Sequence, residues 1–408
     1  MPLKITIVSA GSLPIPACKG GGVETLIQYF IDENEKKKEF DITLYTVTGA
    51  ETLHGRYKKT SFISIKRNYF GDRLVKRINH VLYGINRRIL KNFYLRITDS
   101  YERTVIKLLK EDKNDIIIFE NNLPILSAIQ CGKQKYIFHA HYDDVNLSIR
   151  EFDKTRYCHY YKNIDANIAV SSFINQRIQS VIGNQVDYYT VHNGIDYAQF
   201  TLGISEKEKN EIKDRYGIPD NKIIVMYSGR ITEEKGVGQL IEALKRTHSN
   251  VCLVVVGGAF YCDNSETAFM SELKKQAKSS KNPIIFTGYV AHDKMQEMWA
   301  VSDIAVVPTY GVEEAAGLVV IEAMAAGKPV IISDSGAMEE YVSPECSIVV
   351  KRDADFICKL ANAIDLLCED KKLRHVMGEN ALIQAKNLDK EYYYKNMSIV
   401  IKEIAKEK

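Results

Sequence analysis

Apolar residues occur along the chain in two series of short runs, separated by longer stretches of helical periodicity. The first series covers residues 4–10, 41–47, 115–119, 136–139 and 167–170, and the second covers residues 222–227, 251–256, 284–286, 303–307 and 329–332. Continuous valine and isoleucine runs that alternate with helices are typical of parallel strands covered on both faces. The pattern therefore predicts an α/β protein with two doubly wound, Rossmann-like domains.

The domain boundary is expected near residue 200, where the chain enters a charged segment with a glycine and a proline near its end. The prediction is a first domain over residues 1–200 and a second over residues 201–387. The remaining stretch, 388–408, has helical character and is rich in tyrosine, and we expect this helix to pack back on the first domain.

Composition narrows the class of protein. Of the 408 residues, 45% are hydrophobic and 26% are charged, which is ordinary for a soluble globular protein. Eight cysteines include no pair at zinc-ligand spacing, which is typical of reduced thiols in a cytosolic protein. Without an apolar run of about 18 residues or a signal-peptide pattern, we expect a cytoplasmic protein with no transmembrane helix.

The most informative segment for chemistry is residues 308–329, PTYGVEEAAGLVVIEAMAAGKP. Glu314 follows a predicted strand in a loop, Gly317 opens a predicted helix and Glu322 lies within that helix. Free amides at a helix start bind phosphate, and carboxylates bind ribose hydroxyls in nucleotide sites. Because the rest of the helix is apolar, a buried Glu322 needs a polar partner. The alternative is a surface loop and an amphipathic helix with incidental acids.

Two further segments follow predicted strands, where open α/β sheets bind ligands. In residues 227–236, YSGRITEEKG, both Arg230 and Lys235 can reach a diphosphate, although a solvated charged turn fits as well. In residues 19–24, KGGGVE, three glycines permit close approach of an anion or sugar. A tight strand-to-helix turn is the equally good alternative, because the segment matches no complete dinucleotide or phosphate-loop motif.

With these segments in this order, the chain resembles glycosyltransferase family 4, retaining nucleotide-sugar transferases of the GT-B fold. The matching residues are the pair Glu314 and Glu322 with GLVVIEAMAAGKPVI, the segment from Gly229-Arg230 to Lys235-Gly236, HNGIDYAQF at 192–200, Gly288-Tyr289-Val290, and Gly21-Gly22-Val23-Glu24. The resemblance implies two domains that face a central cleft, with the acceptor bound by the first and the nucleotide-sugar donor by the second.

The resemblance also implies roles for individual residues. Glu314 would contact the donor sugar, and Glu322 the ribose. Arg230 and Lys235 would neutralise the departing diphosphate, because pre-placed cations stabilise the charge that the leaving group gains. Donor contacts are implied for the remaining matched positions, which are Gly21, Gly22, Gly229, Tyr289, Val290, Gly317, Leu318 and Val319.

Two positions depart from the family pattern. Many members carry a histidine after the fourth strand of the first domain, whereas this chain has Glu120 and Asn121, which we treat as acceptor-side candidates. His141, after the next strand, resembles a histidine motif of some members and is a candidate for the catalytic site, although a histidine satisfied by its own loop is equally possible. Ala316 replaces a residue that is larger in many members, which bears on the fit around the donor sugar.

No metal or other cofactor is expected. The pair Asp353 and Asp355 has the Asp-x-Asp spacing of metal-dependent glycosyltransferases, but it precedes a helical run and is better explained by helix capping. The adjacent Asp143 and Asp144 lack companion ligands.

The segment 56–96 holds twelve basic residues, seven aromatic residues and one acid, Asp72. Such a field favours an anionic membrane surface or a lipid-diphosphate acceptor. Nucleic-acid binding is disfavoured because no nucleic-acid motif accompanies the charge, and a solvated helix face is the remaining alternative. The resemblance, too, implies peripheral attachment at the inner face of the cytoplasmic membrane.

Taken together, the motifs and the family resemblance imply a retaining, metal-independent glycosyltransferase of bacterial surface polysaccharide biosynthesis. It would transfer a sugar from a nucleotide-diphosphate sugar to a glycan or polyprenyl-diphosphate-linked acceptor. Two alternatives stay open: a nucleotide-sugar epimerase on the same fold, and a degenerate, non-catalytic binding or scaffold subunit. No residue pattern indicates the base, the sugar, the linkage or the oligomeric state.

Overall fold

A computed structural model describes residues 2–85, 96–126, 129, 132–145, 154–259, 265–311 and 313–406. The chain divides into two compact units. Unit 1 comprises Met1–Val191 and Tyr394–Lys408, and unit 2 comprises His192–Tyr393. The change of unit after Val191 lies close to the boundary that the sequence suggested near residue 200.

Unit 1 is built on a seven-stranded parallel sheet with the order β3-β2-β1-β4-β5-β6-β7. Its strands are β1 (Leu3–Val8), β2 (Phe40–Val47), β3 (Thr60–Ile65), β4 (Ile116–Glu120), β5 (Lys135–Ala140), β6 (Ala166–Ala169) and β7 (Asp187–Thr190). Its helices before the change of unit are α1 (Gly22–Lys37), α2 (Tyr69–Ile85), α3 (Ser100–Leu109), α4 (Leu123–Leu126), α5 (Lys154–Tyr161) and α6 (Ser172–Ile182). The strand order reverses between β1 and β4, and such switch points hold the ligand sites of open α/β sheets.

Unit 2 contains a six-stranded parallel sheet with the order β10-β9-β8-β11-β12-β13. Its strands are β8 (Ile223–Ser228), β9 (Val251–Val256), β10 (Ile284–Gly288), β11 (Ile304–Val307), β12 (Val330–Ser333) and β13 (Ser347–Val350). The helices are α7 (Tyr197–Thr201), α8 (Glu206–Tyr216), α9 (Val237–Arg246), α10 (Ala268–Lys278), α11 (Met295–Ala300), α12 (Leu318–Ala325), α13 (Phe356–Glu369) and α14 (Lys371–Lys386). Here the strand order reverses between β8 and β11.

The two parallel sheets confirm the predicted α/β class, and every predicted strand is present with its ends shifted by at most a few residues. Three strands that the sequence did not predict, β3, β7 and β13, each lie at an edge of a sheet. Only the end residues of β3 and β13 are buried, and no residue of β7 is, unlike the fully buried β9. The sequences of β3 (TSFISI) and β7 (DYYT) lack the continuous apolar run on which the prediction depended.

The last helix, α15 (Lys390–Lys406), returns the chain to unit 1. The ring of Tyr394 packs on Phe30 with a centroid distance of 5.2 Å, and its hydroxyl donates to Asn34 Oδ1 at 3.1 Å. Asn34 in turn bonds both backbone groups of Phe40, at 2.9 and 3.0 Å. Tyr394 therefore joins α15 to α1 and β2 through a buried apolar contact and a satisfied polar network. Among the described helices none is long and apolar enough to cross a bilayer.

Replacing Tyr394 by Ala should destabilise the protein by about 3–5 kcal/mol, because a buried aromatic ring is lost and a cavity is left. The matched control is Tyr392→Ala on the same helix, where the native side chain is 46% exposed and the expected cost is about 0.5 kcal/mol. Denaturant unfolding followed by far-UV circular dichroism measures both. Equal effects of the two substitutions would contradict the assigned packing of α15.

Candidate active site

The switch point of unit 2 brings two loops into contact. One follows β8, and the other follows β11, its neighbour in the sheet. Tyr310 and Gly311 donate their backbone N–H groups to the carbonyl of Glu234, at 2.9 and 3.0 Å. Gly236 has a φ of +76°, and a Cβ atom there would lie 1.9 Å from the carbonyl oxygen of Pro308. Only glycine permits this approach, so the motif ends in glycine for a reason of packing.

Lys235 and Glu314 meet at this contact. The Lys235 ammonium forms an ion pair with Glu314 Oε1, which also accepts a hydrogen bond from Thr309 Oγ1 at 2.8 Å. The backbone of Glu314 is held by Ser335 Oγ at 3.2 Å and by the Ala337 amide at 2.7 Å. Both charged side chains stay partly exposed, at 19% and 17%. The structure thus places a cation and a carboxylate together at the carboxyl edge of the sheet, where the sequence predicted donor binding.

The neighbouring acid, Glu313, has a different environment. Its two carboxylate oxygens each lie 2.9 Å from an Arg352 guanidinium nitrogen, and Gly336 donates its amide to it at 2.6 Å. Arg352 also binds Asp334. Glu313 is therefore a structural ion-pair partner, and of these two adjacent glutamates it is Glu314 that meets Lys235.

Glu322 is held by a residue that the sequence analysis did not identify. It lies in α12, its side chain is 8% exposed, and its Oε1 is 3.1 Å from His292 Nε2. Because α12 spans Leu318–Ala325, Glu314 lies in the loop before the helix, and only Glu322 lies within it. Gly317 precedes α12, and the backbone of Gly317, Leu318 and Val319 supplies the first-turn amides, which lack helical partners.

His292 begins a 3-10 turn, His292–Lys294, after β10. Gln199 of α7 donates to its carbonyl oxygen at 3.1 Å, and the ring of Phe200 meets its imidazole edge-on at 6.0 Å. Burial would lower the pKa of His292, but its hydrogen bond to Glu322 and that residue's negative charge outweigh burial and raise it. The only sequence signal was its position, two residues beyond Val290 in a segment for which the family resemblance implied donor contact.

The other predicted donor residues of unit 2 lie at two places. Gly229 and Arg230 follow β8, and the Tyr227 hydroxyl donates to the Arg230 carbonyl at 2.6 Å, which leaves the exposed guanidinium to project from the turn. Tyr289 and Val290 follow β10, which β9 and β8 separate from β11. The structure therefore groups these two residues with His292 rather than with Glu314.

In unit 1 the corresponding edge is formed by the ends of β1, β4 and β5, which are neighbours. Gly21 has a φ of +103°, and a Cβ atom there would lie 2.2 Å from Glu24 Oε2. Gly22 begins α1. The space beside Gly21 is thus taken by the chain's own Glu24, whose pKa is raised by burial despite backbone hydrogen bonds that lower it. The loop's conformation is explained by this packing, and donor contact by Gly21 and Gly22 stays a prediction.

Glu120, His139 and His141 form a buried cluster at the same edge. Glu120 and His139 are direct cross-strand partners, and Glu120 Oε2 is 2.6 Å from His141 Nε2. The same oxygen is 2.9 Å from His139 Nδ1, without hydrogen-bond geometry. His141 Nδ1 is buried and has no hydrogen-bond partner among the described residues. Glu120 thus contacts both imidazoles, and the Nε2 of His141 is paired with Glu120 rather than with its own loop.

Asn121 completes this arrangement. It adopts a left-handed backbone with a φ of +53°, and its Oδ1 accepts the backbone N–H of His141 at 3.0 Å. Its own amide donates to the carbonyl of His139 at 3.0 Å. Asn121 therefore ties the end of β4 to the end of β5. Glu120 and Asn121, which the sequence suggested as acceptor-side residues, both contact the histidine strand directly.

The protonation of the cluster follows from its burial and charges. Burial raises the pKa of Glu120, but the two histidines outweigh burial and hold this pKa far below its usual range. Burial and His139 lower the pKa of His141 more than Glu120 raises it. At neutral pH the pair is therefore an ionised carboxylate and a neutral imidazole. A neutral imidazole carries one N–H, and a carboxylate can only accept, so that proton lies on Nε2.

Two histidines and a glutamate are also a possible metal-ligand set, and these three residues are the cluster of that kind in the described chain. Tetrahedral zinc with bonds of about 2.05 Å would hold two ligand atoms about 3.3 Å apart. The nitrogen–oxygen distances of 2.6 and 2.9 Å are shorter. The geometry is therefore that of imidazoles in direct contact with a carboxylate.

The acidic pairs considered for metal binding make other contacts. Asp353 accepts the Asp355 amide at 3.0 Å and pairs with Lys359, while Asp355 precedes α13 without a side-chain capping bond. The prediction that this pair caps the helix is therefore wrong in the described structure: Asp353 closes a local turn before α13, and Asp355 makes no capping bond. Asp143 pairs with Arg177 at 3.1 Å.

Comparison with known proteins identifies the class of protein to which this chain belongs. The model for Glycosyltransferase Family 4 matches residues 20–199, and the model for Glycosyl transferases group 1 matches residues 208–384. Together the matches cover most of the chain and confirm the resemblance drawn from its motifs. The chain belongs to the glycosyltransferases of the GT-B fold.

Individual relatives are distant. The chain is 24% identical to YtcC of Bacillus subtilis strain 168 over 397 residues, 93% of this chain and 86% of that protein. It is 25% identical over 294 residues to the GDP-mannose-dependent monoacylated alpha-(1-6)-phosphatidylinositol monomannoside mannosyltransferase of Corynebacterium glutamicum, with 69% and 74% covered. The crystal structure of Anabaena HepE with UDP and glucose superposes with a TM-score of 0.73 at 20% identity, covering 98% of this chain and 100% of that one.

His141 should make the protein sensitive to acid. The unfolded chain binds a proton at His141 below about pH 6.5, whereas the native pKa is lower. Stability should therefore fall as the pH drops below about 6.5, by up to about 1.4 kcal/mol per pH unit for this one group. His141→Gln should flatten that dependence in unfolding measured between pH 7.5 and 5, and His375→Gln, at a 74% exposed side chain, should not. An unchanged slope in His141→Gln would contradict the neutral buried state.

Proposed function

We propose that the protein transfers a sugar from a nucleotide-diphosphate sugar to a glycan or lipid-linked acceptor. The observation that supports this best is the arrangement at the switch point of unit 2. A cation, Lys235, contacts a carboxylate, Glu314, and the next helix carries a second carboxylate, Glu322, beside first-turn amides. Such a site offers separate partners for a diphosphate, a sugar and a ribose.

In this reaction an acceptor hydroxyl oxygen forms a bond to the anomeric carbon, and the bond from that carbon to the diphosphate breaks. The leaving phosphate oxygen takes the acceptor proton. Arg230 and Lys235 stabilise the charge that grows on the leaving group, because pre-placed cations do so without reorganisation. Retention of configuration is proposed from the resemblance to retaining enzymes.

The nucleotide is proposed from relatives. HepE was crystallised with UDP-glucose, and the Corynebacterium mannosyltransferase is GDP-mannose-dependent. Both donors are nucleotide-diphosphate sugars, although their bases differ. The reaction is further proposed to need no metal, with Arg230 and Lys235 serving as the counter-charges, and to serve bacterial surface polysaccharide biosynthesis.

Thermal stability in the presence of UDP, GDP, TDP, ADP and CMP sugars tests the donor site. A ligand at 100 times its dissociation constant should stabilise the folded protein by about 2.7 kcal/mol. One nucleotide class should do so in the wild type, and Glu322→Ala and Arg230→Ala should each abolish most of the shift. Glu379→Ala and Arg215→Ala, at exposed side chains of the same unit, are the matched controls and should keep the shift.

Nucleotide binding and turnover measured with EDTA present distinguish a metal-independent transferase from an epimerase or a scaffold subunit. Binding that survives EDTA, with nucleotide released when an acceptor is supplied, supports a metal-independent transferase. Interconversion of the sugar without nucleotide release would instead indicate an epimerase. Binding without any turnover would favour a scaffold subunit, and folded wild type that binds no nucleotide would contradict the donor site.

Membrane attachment is a separate proposal, and the structure changes which residues support it. Among the described cations of residues 56–96, three form ion pairs: Lys59 with Asp41, Arg67 with Asp72 and Asp99, and Arg96 with Glu102. Except for Asp72, these acids lie outside the segment, so the sequence count overstated the free charge. Arg87, Arg88, Lys91, Phe93 and Tyr94 lie outside the described residues, as does the side chain of Tyr83.

Three of the remaining described cations lie on α2. Phe70, Leu74 and Val81 are 86%, 55% and 64% exposed and share one face of the helix by their spacing. Arg77 lies on the same face, with Arg73 and Lys76 beside it, all exposed. Asp72 is turned inward, where Ser100 and Arg67 bind its carboxylate. An exposed apolar stripe flanked by cations without acids is typical of helices that lie in a membrane interface.

We propose that α2 binds anionic bilayers. Vesicle flotation with 30% phosphatidylglycerol should capture the wild type, and Arg73→Ser/Lys76→Ser/Arg77→Ser should weaken binding about 100-fold, at about 1 kcal/mol per cation. Phe70→Ser should weaken it without changing its salt dependence. The control is Lys207→Ser/Lys274→Ser/Lys275→Ser, in unit 2. Equal loss of vesicle binding in the two triple variants would mean that net charge alone determines binding, and would contradict a specific role for α2.

A further inference from the structure

We infer that His292 is a positioning residue of the donor site, which holds one oxygen of Glu322 so that the other is presented to the ribose hydroxyls of the nucleotide. The inference rests on the proposed function, because it deepens the role of Glu322. It concerns a residue outside all the motifs that indicated the activity.

The first support is that Glu322 needs a partner. Its helix, α12, is otherwise made of leucine, valine, isoleucine, alanine and methionine, and its carboxylate is nearly buried. A carboxylate in such surroundings is costly unless it is paired and hydrogen-bonded. His292 Nε2 is the described partner, at 3.1 Å from Oε1. No described group forms a hydrogen bond with Oε2, and this atom is not among the fully buried unsatisfied ones.

The second support is that His292 is itself held in place. Its carbonyl accepts from Gln199, and its ring packs against Phe200, both on α7. The acids that act on it are Glu322, Asp293 and Asp196. Asp196 is also paired with Lys390 at 2.5 Å. The turn His292–Lys294, α7 and α12 thus meet at the imidazole, and their contacts orient its Nε2 toward α12.

The chemistry that follows is specific. With Oε1 occupied by the imidazole N–H, Oε2 keeps its lone pairs for hydroxyl donors, and two adjacent ribose hydroxyls are such donors. A hydrogen bond to a charged group contributes more than one between neutral groups. Loss of His292 would let the carboxylate turn or take up water, so its effect should be confined to ligands that carry those hydroxyls.

The test is a comparison of ligands that differ only at the ribose. Isothermal titration with UDP, GDP and ADP identifies a binding nucleotide, and its 2′,3′-dideoxy counterpart is then measured in parallel. The wild type should prefer the ribonucleotide by about 10- to 100-fold. His292→Leu should reduce that preference about tenfold by weakening the ribonucleotide alone. His292→Gln, whose amide can donate to the carboxylate, should restore most of it.

Several controls separate a positioning role from a structural one. In Glu322→Gln, adding His292→Leu should change the preference no further, because the two residues act together. Lys294→Leu, on the same turn, should leave it unchanged. If His292→Leu does not fold, His292→Asn, whose shorter amide falls short of Glu322, takes its place. Equal weakening of both ligands, or of neither, would overturn the inference. Failure of every nucleotide to bind the wild type would instead contradict the proposed function.

Discussion

The contact between the loops after β8 and β11 is the constraint on which the site of unit 2 depends. Gly236 lies so close to the Pro308 carbonyl that no side chain fits, and its φ of +76° is one that other residues avoid. This contact brings Lys235 beside Glu314, although 79 residues separate them in sequence. A family motif that reads as two unrelated segments is therefore one packing unit, and its glycine is as necessary as its charges.

Two histidines of the chain show how burial decides the role of an imidazole beside a carboxylate. His141 is almost fully buried next to a second histidine, and its pKa is lowered although Glu120 is 2.6 Å away. His292 is half-exposed, and Glu322 raises its pKa. His141 is therefore a neutral imidazole whose proton lies on the nitrogen that faces Glu120. His292, whose pKa is raised, favours the protonated form more than a free histidine does. Environments that separate the pKa values of like groups are a feature of functional sites.

The sequence predicted every central strand of the two sheets and missed three of the four edge strands. Every central strand of both sheets carries an apolar run, whereas β3, β7 and β13 are edge strands with mixed faces. The charged residues of the site were identified because their motifs are local. His292 was missed because its importance comes from a contact with a residue thirty positions away, which neither periodicity nor spacing indicates.

In the basic segment, residues 56–96, the number of cations in the sequence is larger than the number that the folded protein leaves outside ion pairs. Ion pairs with Asp41, Asp99 and Glu102 are made across the fold, so a window of sequence cannot include them. Among the described cations without a described ion pair, Arg73, Lys76 and Arg77 lie on one helix, beside its exposed apolar residues. Coulomb attraction to anionic lipid acts over about a Debye length, and apolar insertion acts only on contact. A surface that combines both on one helix is suited to a membrane in a way that scattered cations are not.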